Sequence, residues 1–349
     1  MSRRRAAVVT AGLAAGAVTA GMLGRTVLNA RRRREDPEAH EPLSLLPPED
    51  LGPVASFDGT ELAVRAAGDA SLPVVVFVHG FSLDLTTWHY QWTELSARYR
   101  CVLFDLRSHG RSARAAGGDL SPSAFAHDLA AVVEAIASEG PILLVGHSMG
   151  GVAILALAES RPDLFGTRVA GCVFVGAAAN DLLRGAMGSI TELLRPRLGS
   201  LRQAASRMNR IRRSVLSGPA DLGHLIARVT QFGPHASPHV VGYVVGLAAK
   251  APSEVWTDAL AGLMDVDLRP ALRRVRVPAL VLVGEHDRVT PPSSAVALAG
   301  DLPDGRLEVI EEAGHIPMIE AHEAFNERLE RFAQGVLGKP GRARRRRSA

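Results

Sequence analysis

Ser148 lies between two glycines in the run Gly146-His147-Ser148-Met149-Gly150, directly after the apolar stretch PILLV and directly before a helical pattern. A serine hydroxyl attacks a carbonyl only when a base takes its proton and its Oγ stands clear of the backbone. A sharp turn from strand to helix achieves the second condition. The serine there takes strained backbone angles, a side chain at 146 or 150 would meet neighbouring backbone, and the helix N-terminus favours developing negative charge. The bland alternative is a glycine-rich helix start with an ordinary capping serine. The proton acceptor must come from twelve histidines, and residue type alone does not choose among them.

The surrounding elements give the run its context. From about residue 53 the chain alternates β-rich runs with helical patterns, the signature of a mostly parallel sheet covered on both faces. The expected strands are 53–57, 61–67, 74–79, 100–105, 141–146, 170–176, 278–284 and 306–310. Several (VVVFVH, CVLFD, ILLVG, CVFVG, LVLVG) are continuously apolar, as strands buried on both faces should be. Ser121-Pro122 supplies a cap and a first-turn proline for a helix whose one face carries Phe125, Leu129, Val132, Val133 and Ile136. The helix after Ser148 must stop near Arg161-Pro162, because proline cannot continue it. Between 181 and 258 the alternation breaks off, which reads as a helical cap over the carboxyl edge of the sheet, where such sheets place ligands. Cys101 and Cys172 each lie within an apolar run and read as buried free thiols rather than a disulfide.

Three motifs together, GHSMGG after an apolar strand, FVHGF at 77–81 and DLRSHGRS at 105–112, resemble the α/β-hydrolase superfamily in its serine esterase and lipase branch. The resemblance covers roughly 54–336 and implies the α/β-hydrolase fold, with a mostly parallel central sheet of about eight strands, helices on both faces and a helical cap insertion. It places the nucleophile on Ser148 and an oxyanion hole on the backbone N–H groups of Phe81 and Met149. It places the acid after a late strand, where LVLVGEHDRVTPP matches Gly-x-x-Asp at Asp287; Glu285 and Asp181 are lesser candidates. Asp287 can also be read as a mere cap for the helix entered at Pro291-Pro292.

Chain order in this fold is Ser, acid, His, which selects His315 in EEAGHIPM as the base. His286 sits beside the acid and His322 within the last helical pattern, while His79 and His147 are expected to support turns. In the implied mechanism His315 takes the Ser148 proton and then protonates the leaving group, Asp287 holds the imidazole tautomer, and water releases the acyl group. The chemistry calls for no cofactor and no metal. One departure from the family pattern stands out: Ser108 replaces the usual glycine in the loop after Asp105.

Forty basic against 36 acidic residues give a net charge of +4, but the positive charge is concentrated at the ends. Residues 41–338 hold 26 basic against 33 acidic residues, so the body is net −7, which argues against nucleic acid as a partner. Residues 6–24 carry no charge and are bracketed by arginines, long enough for a membrane anchor. A cleaved secretion signal and a cytoplasmic extension are the competing readings of residues 1–30. Membrane association is therefore expected through this segment and its basic flanks. The remaining organisation reads as a linker at 31–52, core at 53–180, cap at 181–258, core again at 259–338 and a basic tail at 339–349.

A carboxylic ester with an apolar acyl chain is the favoured small-molecule substrate, and a lipid ester fits equally. The same machinery serves thioester hydrolysis, C–C bond hydrolysis and cofactor-free haloperoxidase or perhydrolase chemistry, and a non-catalytic ligand-binding receptor is the reading from another class. The apolar residues Val240, Val241, Val244, Val245 and Leu247 suit either an acyl pocket or the core of the cap. The arginines at 184–213 read as a solvated helix face or a site for anionic lipid.

Overall fold

The computed structural model describes residues 36–136, 140–180, 222–264 and 266–338. Eight strands form one sheet: β1 (Glu49–Ala55), β2 (Glu61–Ala67), β3 (Val74–Val78), β4 (Arg100–Phe104), β5 (Ile142–His147), β6 (Val169–Val175), β7 (Ala279–Gly284) and β8 (Gly305–Ile310). Their order is β1-β2-β4-β3-β5-β6-β7-β8, antiparallel from β1 through β2 to β4 and parallel from there on. Ser148 follows β5, with β3 on one side and β6 on the other. Strands β3 to β7 are the continuously apolar runs, and nearly all their residues are buried, since helices cover both faces.

One face is covered by α2 (Pro122–Ala135), α3 (Met149–Ser160) and α8 (Pro292–Asp301), the other by α1 (His89–Leu95), α9 (Pro317–Glu320) and α10 (His322–Leu337). Helix α2 starts as its sequence dictates: Ser121 Oγ accepts from the Ala124 amide and Pro122 occupies the first turn. Phe125, Leu129, Val132 and Val133 are buried against the sheet, and Ile136 ends the helix in extended geometry. Helix α3 ends before Pro162. Both cysteines are buried and unpaired, and burial pushes the Cys101 thiol up to about 12.

Between β6 and β7 lie α4 (Leu222–Gln231), α5 (Pro238–Lys250) and α6 (Ser253–Met264), followed by the short α7 (Arg269–Leu272). Helix α6 extends past residue 258, where the cap was expected to end. Val240, Val241, Val244, Val245 and Leu247 are buried in one apolar cluster with Leu83, Val175, Leu280 and Ile319, so they are packed as core. The arginine-rich stretch 184–213 and the lesser acid candidate Asp181 lie outside the described residues, as do 1–35 and the basic tail.

Two expectations near the start are corrected. The first strand is Glu49–Ala55, not 53–57, because Ser56 to Thr60 form the hairpin turn, closed by the Ser56 amide on the Thr60 carbonyl at 2.9 Å. The charged, proline-rich stretch read as a linker is, from Asp36 on, folded against the protein. Leu43 is buried, and the Asp36 carboxylate caps α5 by accepting from Ser237 Oγ at 2.8 Å and the His239 amide at 3.0 Å. Among the described residues no helix is long and apolar enough to cross a membrane.

Candidate active site

Ser148 stands at the tip of β5 as the residue before α3, with φ 50° and ψ −112°. Such angles cost a non-glycine residue about 1–3 kcal/mol and persist only where the surroundings impose them. The imposing contacts are backbone. A Cβ on Gly146 would lie 2.5 Å from the Gly150 carbonyl oxygen, and one on Gly150 would lie 2.3 Å from that of Val78, so both must be glycine. The Ser148 amide donates to the Val175 carbonyl at 2.8 Å, fastening the turn to the neighbouring strand.

His315 and Asp287 come from the loops after β8 and β7. The His315 Nδ1–H donates to Asp287 Oδ2 at 2.8 Å, and both side chains are buried. Asp287 is held by three further donors: the Val289 and Thr290 amides reach Oδ1 at 2.8 Å each, and Thr290 Oγ1 reaches Oδ2 at 2.9 Å. Burial pulls its carboxyl upward, but His315 and the donors from Thr290 outweigh that pull and hold it below the usual aspartate range. Asp287 is thus both a turn cap and the partner of an imidazole, while α8 takes Pro291 as its own cap residue.

The serine and the imidazole meet through their neighbours. The His147 ring packs tilted against that of His315 with centroids 4.8 Å apart, and its Nε2–H donates to the His315 carbonyl at 2.9 Å. Gly176 follows Val175, the acceptor of the Ser148 amide; a Cβ there would stand 3.1 Å from His315 Nδ1 and 3.2 Å from Asp287 Oδ2. On the other side, a Cβ on Gly80 would lie 3.3 Å from Ser148 Cβ. The loop with Gly80 and Phe81 therefore abuts the serine. Among the described residues, the hydrogen-bonded backbone amides of the site do not include those of Phe81 and Met149. Phe81 packs edge-on to Trp256 of α6 at 4.6 Å.

The four other histidines weighed in the sequence have different surroundings. The Leu106 amide donates to His79 Nε2 at 3.0 Å, so the neutral ring gives its Nδ1–H to the Gly80 carbonyl at 2.8 Å and holds the Phe81 loop. Burial and the nearby His315 push His147 down to about 3, so it stays neutral. His286 lies 4.0 Å from Glu285, and His322 stacks on Tyr90 at 3.6 Å; neither approaches Ser148 through any recorded contact. Glu285 accepts from the Glu312 amide at 3.0 Å, and it is Asp287, not Glu285, that pairs with His315.

The family model for the alpha/beta hydrolase family matches residues 75–328. The chain belongs to the alpha/beta hydrolase family. It is 25% identical over 287 residues to 3-oxoadipate enol-lactonase 2 of Acinetobacter baylyi, a match covering 80% of this chain and 97% of that one. Over 273 residues it is 26% identical to the pimeloyl-[acyl-carrier protein] methyl ester esterase of Neisseria meningitidis, covering 76% of this chain and 78% of the relative. Among solved structures, a thermophilic esterase from Thermogutta terrifontis superposes with TM-score 0.66 at 27% identity, covering 83% of this chain and 99% of that one.

Within this hydrolase the departure at Ser108 has a local explanation. Ser108 has φ +63°, the left-handed geometry a glycine would take freely, and its Oγ accepts from the Ala115 amide at 3.0 Å, offsetting the strain. Sequence reading passed over Thr290, Gly176 and Glu320. The only signal for Gly176 was its place at the end of an apolar strand, as with Gly146 and Gly284; Thr290 gave only a hydroxyl three residues after an aspartate.

Proposed function

We propose that the protein hydrolyses a carboxylic ester through an acyl-enzyme on Ser148, with His315 as base, Asp287 as its orienting acid, and the Phe81 and Met149 amides receiving the oxyanion. The observation that carries this reading is the buried His315–Asp287 pair at 2.8 Å, one contact away from a serine in strained geometry. His315 Nε2 takes the hydroxyl proton as Oγ bonds to the carbonyl carbon, and the imidazolium returns it to the departing alcohol. Water, deprotonated by the same ring, then releases the acid. Two amides aimed at the tetrahedral oxygen stabilise it by about 3 kcal/mol per donor.

An apolar acyl group is favoured, as is a small or lipid ester over a charged polymer. The lactonase and methyl ester esterase among the relatives support ester chemistry. A cavity of about 230 Å³ begins one residue past Phe81 and is lined by Leu83 and Leu247 together with Asp84, Arg111 and Lys250. A panel of p-nitrophenyl esters of increasing acyl length tests the reading. Turnover should peak at one chain length and vanish in Ser148→Ala; activity that survives the substitution, or no ester hydrolysed at all, would contradict it.

Association with a membrane through residues 6–24 and the flanking arginines rests on the sequence. The full chain should sediment with vesicles containing anionic lipid and a chain beginning at residue 36 should not; equal sedimentation would reject the anchor.

A further inference from the structure

The loop that carries His315 is held from behind by a carboxylate. Glu320, the last residue of α9, accepts from the Gly314 amide through Oε2 at 2.7 Å and from the Gly233 amide through Oε1 at 2.7 Å. Gly314 precedes His315. Gly233 lies in the loop leaving α4, where the Gln231 carbonyl accepts the His315 amide at 2.7 Å. The two loops touch backbone to backbone: a Cβ on Gly314 would lie 2.4 Å from the Gln231 carbonyl oxygen, and one on Gly233 only 1.8 Å from that of Glu312. The backbones are too close for a Cβ at either glycine; hydrogen bonds hold the contact beside the shared burial of Phe232, Ala313 and Ile316, and Glu320 supplies two of those bonds.

We propose that Glu320 is a positioning residue for the base: its ionised carboxylate clamps the His315 loop to the loop leaving α4 and thereby aims the imidazole at Ser148. The inference rests on His315 being the base. A charged acceptor serving two amides is the strong form of this bond, and neither Gln nor a protonated acid reproduces it, because each turns one donor toward an amide. Glu320 is open to solvent through a cavity of about 400 Å³ that also holds Asp36, Glu38, Arg228, His235 and Ser237. Arg228 of α4 favours its charge and Glu38 opposes it; Glu38 is itself 3.8 Å from His322 of α10, and His235 is 3.2 Å from Glu312. Burial lifts the Glu320 carboxyl to about 7, against the pull of the two amides and Arg228. The clamp therefore changes state near neutral pH.

The test uses the full chain and p-nitrophenyl acetate, with rates normalised to folded protein by circular dichroism. In Glu320→Gln, kcat should fall roughly ten-fold with KM within about two-fold, the pattern of a misaimed base in a site that still binds. The wild-type decline in kcat/KM below about pH 7 should lose one ionisation in Glu320→Gln, a change that a merely structural role would not produce. Glu320→Asp, charged but too short for both amides, should fall between the two. Equal kcat in Glu320→Gln and wild type, or a loss accounted for by unfolded protein in both variants, would overturn the proposal. Ser148→Ala run alongside separates this from the catalytic reading: if that variant turns over, the base assignment itself has failed.

Discussion

The Nδ1–H of His315 donates to Asp287 Oδ2 at 2.8 Å across two loops whose strands are neighbours in the sheet. With Nδ1 occupied in this way, Nε2 is the nitrogen free to take a proton, which is the tautomer a serine base requires. Asp287→Asn can offer its amide nitrogen to the ring and reverse that tautomer. The expected result is a loss of kcat by about 10³–10⁴-fold with KM little changed, read from steady-state ester hydrolysis.

Thr290 completes the cage around Asp287, and its Oγ1 also lies 3.3 Å from His315 Nδ1. Thr290→Val keeps the shape and removes the hydroxyl, which should lower kcat several-fold and stability by about 1 kcal/mol in urea unfolding. Gly176→Ala places a methyl against the His315–Asp287 pair at a residue with φ +51°. It should cost more activity than Thr290→Val while remaining folded by circular dichroism.

Buried neutral histidines make the fold sensitive to acid. Burial, with His79 beside one and His315 beside the other, pushes His109 and His147 from the ordinary value of 6.5 down to about 3. Their folded values lie below the unfolded one, so their contribution is intact above about pH 6.5 and is lost as pH falls toward 3. Melting temperature should decline through that window, and His109→Gln should flatten the decline. A melting temperature constant from about pH 7 to about pH 4 would contradict this.

Much of this architecture can be read from residue order because the central strands are apolar on both faces. VVVFV, RCVLF and ALVLV admit almost no other placement, and the glycines around Ser148 are demanded by backbone contacts, Gly146 with Gly150 inside the turn and Gly150 with Val78 at the end of β3. Edge strand β1 was harder to locate. It exposes most of its residues and begins with Glu49 and Asp50, so no hydrophobic period marks it. The stretch from Asp36 escaped for a different reason: its charges look solvated until the N-terminus of α5 and the amide of His239 are brought to Asp36. Glu320 likewise reads as a surface residue at the end of a short helix, because the two amides it serves come from loops separated in the chain by more than eighty residues.

The most direct measurement is a fluorophosphonate reaction followed by peptide mapping in the mass spectrometer, run on wild type, Ser148→Ala and His315→Ala. Wild type should take up one phosphonyl group, on Ser148, and lose its esterase activity in step; His315→Ala should react at least about a thousand-fold more slowly, and Ser148→Ala not at all. An adduct on another residue with activity abolished, or unimpaired labelling of Ser148 in His315→Ala, would contradict the assignment of nucleophile and base.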